Sequence, residues 1–206
     1  MIELWLVRHG ASSANVEKLV TGCKDIPLTK EGEHQANLLG KWLSNYWEFD
    51  PDIYITSTMK RADDTADLIN IPCIPEKYAE LNEADAGDVS YWKRDKFDAE
   101  YPDFWQPFDE NRPFPGGESH KDLYDRVVFC MQNIVNKSPQ NARILIVAHA
   151  GTISSIFHHA YNVPMKYFSK FVVDNGSLSV LRYEDYDTPP ELVLYNQMPP
   201  DVKAKK

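Results

Sequence analysis

The sequence predicts an α/β fold: a three-layer α/β/α sandwich on a mostly parallel central sheet, with an inserted lid-like segment. Three observations carry this. Short apolar runs alternate with helix-patterned stretches, as expected when helices cover both faces of a parallel sheet. Two of the runs end in a histidine with a glycine close behind: Ile2–Val7 leads into Arg8-His9-Gly10, and Ile144–Ala148 into His149 with Gly151 beyond. Residues 82–118 break the pattern, being acidic, aromatic and interrupted by Pro102, Pro107, Pro113 and Pro115. An irregular stretch of that length inside a compact domain is often a functional lid.

The elements follow in order. After the first strand, Thr29 can cap a helix to about Ser44, with Gly32, Ala36, Leu39, Gly40 and Leu43 as its buried stripe. The small residues in that stripe would let the helix lie close to the sheet. Ile53–Thr56 is the next strand, and Ser57 or Thr58 caps a helix through Ile69 with Ala62, Thr65, Ala66 and Ile69 inward. Pro72 and Pro75 bracket a short strand at Cys73-Ile74, and a short helix is expected near Tyr91–Glu100. Ser119 and Asp122 form a capping signal for a helix to about Asn136, with Leu123, Val127, Cys130, Met131 and Ile134 apolar. A helix over Thr152–Tyr161 follows the strand that ends at His149. Leu178–Tyr183 and Leu192–Tyr195 are late strands, one of them an antiparallel edge. The chain divides into one domain over 1–198, with 84–114 as a specificity insertion, and a frayed tail over 199–206.

Composition narrows the function. A net charge of −9 disfavours a nucleic-acid backbone as partner. A small anionic substrate fits if a few arginines make a locally positive pocket. Three cysteines, with no CxxC spacing, suggest neither a disulfide framework nor a zinc site and fit a reducing cytoplasm. No apolar stretch approaches the roughly 20 residues of a membrane span. Oligomeric state is left open, a homodimer included.

Phosphoryl transfer to histidine needs an in-line nucleophile, cations or N–H donors on the equatorial oxygens, and an acid for the leaving oxygen. In an open α/β sheet such groups gather outside the carboxyl ends of the strands. Arg8, His9 and His149 are expected there, and Arg61 in the first turn of the helix after the second strand. Glu83 follows another apolar-to-polar transition, with Glu80, Asp85 and Asp88 as neighbours. Asn15, Thr21 and Gly22 belong to the loop after His9 and can offer donors to phosphate. Of the remaining histidines, His158 and His159 are adjacent on a helix and diverge, which suits no single ion, and His34 and His120 have no motif behind them. The aromatic set Tyr91, Trp92, Phe97, Tyr101, Phe104, Trp105 and Phe108 is expected mainly to pack, with one or two members reaching a pocket. Cys23 is expected near the pocket mouth without a catalytic role.

These segments resemble the histidine phosphatase superfamily, which includes the cofactor-dependent phosphoglycerate mutases. Arg8–Asn15 is similar to its RHGxTxxN opening, with Ser12 in place of threonine. Gly22–Ala36 resembles GxxDxPLTxxGxxQA, and Ser57–Ala66 resembles SxxxRAxxTA. Leu81-Asn82-Glu83 with Gly87, then Pro115–Ser119, His149-Ala150-Gly151 and Asn175-Gly176-Ser177 continue the resemblance in order. It implies that His9 is the nucleophile, forming a phosphohistidine through Nε2. It implies that Arg8, Arg61 and His149 bind the phosphoryl oxygens, and that Glu83 protonates the leaving alcohol and then activates water. Asn15 and backbone N–H groups near Gly151 and Thr152 would complete the cradle. No cofactor or metal is implied, because the arginines do the neutralising that Mg²⁺ does in kinases.

Within the superfamily, mutases typically follow the acidic residue with Arg-His-Tyr-Gly. Here Glu83 is followed by Ala84-Asp85-Ala86-Gly87, and the only nearby basic pair, Lys93-Arg94, is in the wrong place. The Glu-x-x-Ala-Gly stretch, Tyr101-Pro102 and the Pro-Gly-Gly-Glu-Ser turn look more like the phosphatase branch, with its fructose-2,6-bisphosphatase and ribazole phosphatase types. Asp88-Val89-Ser90 departs from the Glu-Gly common there, so the resemblance implies a phosphatase of a small phosphorylated metabolite without naming it. Phosphoglycerate mutase-type transfer, or a binding module on the same core, are the alternatives.

Overall fold

The computed structural model describes residues 1–168, 170–184 and 188–200. Its main sheet has six strands in the order β4-β3-β6-β1-β7-β8. These are β1 Ile2–Arg8, β3 Ile53–Ser57, β4 Glu76–Tyr78, β6 Arg143–Ala148, β7 Leu178–Tyr183 and β8 Glu191–Gln197. The first four run parallel, whereas β7 pairs antiparallel with β1 and β8 antiparallel with β7, leaving β8 as an edge with an antiparallel partner. A separate ribbon pairs β2 (Leu19–Val20) with β5 (Trp92–Lys93).

Strand period 2 sorts the apolar residues into two cores. Trp5, Val7, Leu145 and Val147 face one way. There they meet Leu39 and Leu43 of α2 (Lys30–Trp47) and Ala62 and Ala66 of α3 (Lys60–Ile69). Leu4, Leu6, Ile144 and Ile146 face the other way, onto α5 (His120–Lys137) and α6 (Ala150–Ala160). Because the central strands are covered on both faces, they carry almost no polar residues.

Helix ends follow their side-chain chemistry. Thr29 accepts from the Gly32 amide at 3.1 Å and starts α2. Ser119 and Asp122 cap α5 reciprocally. The glycines of α2 serve close approach, but not to the sheet as expected: a Cβ on Gly32 would lie 2.1 Å from the Ala11 carbonyl oxygen, and one on Gly40 2.2 Å from that of Ile69. The first contact presses α2 against the turn that follows His9.

Several expectations are corrected. The N-cap of α3 is Met59, which makes no side-chain cap bond. The Ser57 hydroxyl is drawn instead to His149, and the Thr58 hydroxyl donates to Asn82 Oδ1. The fourth strand begins after Pro75, not at Cys73-Ile74, where Ile74 is 92% exposed; proline cannot donate to a ladder. Tyr91 has φ of 68°, so it turns the chain, and the short helix α4 covers only Arg94–Glu100. Helix α6 starts at Ala150 with His149 as its N-cap, two residues before the expected Thr152. A five-residue helix α1, Ser13–Glu17, went unexpected. From residue 201 the expected tail lies outside the described residues. Among the described residues no helix is long and apolar enough to cross a membrane.

Candidate active site

Parallel pairing of β1 with β6 puts Arg8 opposite Ala148, so His9 and His149 leave the sheet side by side. Their ring centroids are 5.1 Å apart. The His9 ring is fixed at both nitrogens: Nδ1 lies 2.7 Å from the Gly10 carbonyl oxygen, and Arg61 Nε donates to Nε2 at 3.2 Å. A nitrogen that accepts from a guanidinium carries a lone pair, so the proton belongs on Nδ1. Burial first, then Arg61 and Arg8, hold the His9 pKa well below the ordinary histidine value. His149 is shifted the same way, again mainly by burial and next by Arg61. Both rings are therefore neutral near neutral pH. His149 Nε2 lies 2.7 Å from Ser57 Oγ at the end of β3, and its buried Nδ1 has no partner.

Arg61 is aimed by backbone carbonyls: Nη1 donates to Lys24 at 2.9 Å and Nη2 to Gly22 at 3.1 Å. Gly22 has φ of 49°, and a Cβ there would meet the Ala86 amide nitrogen at 2.3 Å. Arg8 donates through Nη1 to the Val173 carbonyl at 2.6 Å, while its buried Nε has no partner. Burial lowers both guanidinium pKa values, opposed in each case by Glu83, and two retained cations make the site locally positive in a chain of net charge −9.

Glu83 is held by two amides, Oε1 by its neighbour Ala84 and Oε2 by Gly151, both at 3.1 Å. Gly151 stands in the first turn of α6, where amides and dipole favour an anion. A Cβ on Gly151 would lie 2.2 Å from Glu83 Oε1, so a side chain there would push the carboxylate aside. Behind Glu83, Arg126 uses all five guanidinium donors. Two go to the Glu118 carboxylate and three to the carbonyls of Glu80, Asn82 and Glu83. Sequence reasoning missed this clamp. Its only signal was a lone arginine on the polar side of a helix, and its carbonyl targets lie some forty residues away, as with the 44 between Arg126 and Asn82.

The structure does not bring every expected residue to the same point. Thr21 and Gly22 line a cavity of about 330 Å³ together with Glu83 and Gly151. Asn15 is in α1 rather than a loop, and its Oδ1 accepts from the Ser12 amide and hydroxyl and from Asn175 Nδ2. The Gly151 amide is engaged by Glu83 rather than held open in a cradle. The buried Thr152 hydroxyl donates to the carbonyls of Leu81 and Asn82, supporting the backbone that carries Glu83. Cys23 donates to the Glu83 carbonyl at 3.0 Å, and burial pushes its thiol up to about 11. His158 Nδ1 lies by the Val163 carbonyl oxygen and His159 Nδ1 by the Tyr124 hydroxyl, so those two rings diverge. Of the expected aromatic set, Trp105 and Phe108 reach the cavity, and Phe97 and Phe104 pack in a buried cluster with Phe114. Phe114 and Phe168 also line the cavity, although neither had been expected there.

Known proteins share this arrangement of chain and fold. The model of the histidine phosphatase superfamily (branch 1) matches residues 4–197. The uncharacterized phosphatase PhoE of Bacillus subtilis (strain 168) is 32% identical over 160 residues, covering 76% of each chain. A 2,3-bisphosphoglycerate-dependent phosphoglycerate mutase of Methylorubrum extorquens (strain PA1) is 34% identical over 167 residues, covering 74% of this chain and 76% of its own. Among solved structures, an Escherichia coli K-12 protein described as a candidate alpha-ribazole-5'-P phosphatase superposes with a TM-score of 0.84 at 27% identity, over 95% of this chain and 96% of that one. Its α/β architecture with a mostly parallel sheet is the one found here. With the family model matching nearly from end to end, the chain belongs to the histidine phosphatase superfamily, branch 1.

Proposed function

We propose that the protein is a phosphatase that hydrolyses a small phosphorylated metabolite through a phosphohistidine on His9, with no metal ion in the reaction. The observation that carries this reading is the state of the His9 ring. It is neutral, with its proton directed to the Gly10 carbonyl and its Nε2 lone pair beside the Arg61 guanidinium. A lone pair held next to a cation is placed to attack a phosphorus whose oxygens that cation can neutralise.

The reaction balances in two steps. His9 Nε2 attacks phosphorus in line, the bond to the alcohol oxygen breaks, and Glu83 gives that oxygen a proton. Glu83, now a carboxylate, takes a proton from water as the water oxygen attacks phosphorus. The N–P bond breaks, its electron pair returns to Nε2, and phosphate leaves. Arg8, Arg61 and His149 hold the equatorial oxygens in both steps. The Arg126 clamp keeps Glu83 at the leaving-group side.

Water as the second acceptor is favoured over a mutase's second substrate hydroxyl. A phosphoglycerate mutase must also hold a carboxylate. The one arginine lining the cavity, Arg94, lies 4.2 Å over the Trp105 ring and pairs with Asp98 at 2.8 Å.

Turnover of a generic phosphate monoester tests the reading. Activity is expected to persist in excess chelator and to fall by roughly 10⁴-fold or more in His9→Ala. Equal rates in wild type and His9→Ala overturn it, and stimulation by a bisphosphoglycerate primer with phosphoglycerate isomerisation would establish the mutase instead. The ring state has its own check. A histidine pKa shifted down keeps its lone pair as pH falls through the ordinary value, so long-range ¹⁵N spectra of the ligand-free protein should show His9 as the neutral Nδ1–H tautomer at about pH 6.5. A titration midpoint at or above that pH contradicts it. Arg126→Met should slow alkyl phosphates by roughly 10²-fold and aryl phosphates much less, because good leaving groups need little protonation. Equal slowing would show that the clamp does not act through Glu83.

A further inference from the structure

The cavity beside Glu83 contains a polar group that the phosphoryl chemistry leaves unused. His120, on the first turn of α5, stands in its wall among the rings of Phe168, Phe108, Phe114 and Trp105. Their centroids lie 4.6, 5.3, 5.7 and 5.8 Å from that of the imidazole. The residue is only 7% exposed, and its Nδ1 is enclosed without a partner. Among the described residues none is hydrogen-bonded to the ring, and Nε2 is the nitrogen that is not enclosed. Burial pushes its pKa down to about 4, so it is uncharged near neutral pH and offers a hydrogen bond without a charge. Nε2, the nitrogen that is not enclosed, is the ring atom that a molecule bound in this cavity next to the proposed acid would reach.

We propose that this cavity is the leaving-group pocket for a phosphate monoester of an aromatic or flat apolar alcohol, and that His120 Nε2 makes the single hydrogen bond to an uncharged polar group on that alcohol. The assignment rests on the phosphatase reading above and adds the substrate class. Glycerate-like or sugar-like alcohols fit the wall poorly. A carboxylate would be desolvated among four aromatic rings, and the Arg94 guanidinium beside them lies over Trp105 with its Nε on Asp98. Several hydroxyls would lose water against a wall whose side chains are mostly apolar. A flat ring gains contact area and stacking on the same wall, and the volume of about 330 Å³ accommodates a group of one or two rings.

The test uses three esters of primary alcohols with similar leaving-group basicity: glycerol phosphate, naphthylmethyl phosphate and hydroxynaphthylmethyl phosphate. Naphthylmethyl phosphate should exceed glycerol phosphate in kcat/KM by roughly tenfold or more, and the hydroxylated ester should exceed the plain one. His120→Leu should abolish the hydroxylated-over-plain preference, and His120→Gln, which keeps a donor and an acceptor, should restore part of it. Equilibrium binding of the same esters to His9→Ala protein reads the pocket without hydrolysis and should follow the same order. Glycerol phosphate turned over as well as the naphthyl esters, or a preference unmoved by His120→Leu, overturns the pocket assignment and leaves the phosphatase reading standing. No hydrolysis of any ester, with His120-dependent binding to His9→Ala protein, supports the pocket and overturns the hydrolytic reading instead.

Discussion

The site depends on one contact, the hydrogen bond from Arg61 Nε to His9 Nε2. It places a cation against an imidazole that burial keeps neutral. A protonated ring there would face Arg61 and Arg8 in a desolvated cluster, and like charges in that setting are costly. Burial and the two guanidinium cations prevent this, while the Gly10 carbonyl, which alone would favour the protonated ring, fixes the tautomer, and the carbonyls of Gly22 and Lys24 fix Arg61. Those carbonyls lie in the loop that the Gly22 turn packs against Ala86, and Gly10 is held against Gly32 of α2. Close packing of glycine backbones thus positions the groups around the buried His9 ring.

Around that contact the groups separate by task. The ends of β1, β3 and β6 supply the ring of His9, the hydroxyl of Ser57 and the ring of His149. The first turn of α6 and the Arg126 clamp hold Glu83. The segment after Glu83, together with Phe168, supplies the apolar wall. Sheet and helix ends therefore carry the groups of the proposed reaction, while the aromatic excursion lines the cavity proposed for the leaving group.

Much of this was legible in the chain. Apolar runs announce central parallel strands, and Thr29 and the Ser119/Asp122 pair mark their helix starts because their side chains accept from an amide three residues on. Arg8, His9 and His149 stand at strand ends, Arg61 in a first helical turn, and Glu83 just after the short 3-10 turn Ala79–Leu81. What escaped reading was non-local or short. Helix α1 has five residues, too few for a periodic signal. Ser57 and Thr58 look like caps until distant His149 and Asn82 claim their hydroxyls. The Gly151 amide and the Thr152 hydroxyl look free until the 81–83 backbone lies against them. His120 has no motif, and its meaning comes only from the rings that surround it.

The central claim is that the phosphoryl group passes through His9 Nε2. Its most direct test is mass spectrometry and ³¹P NMR of protein quenched in alkali during steady turnover of a phosphate monoester. The account predicts one acid-labile, base-stable phosphoryl group on His9, attached at Nε2 and absent from His9→Ala. Normal turnover with His9 unmodified at every time point would contradict it.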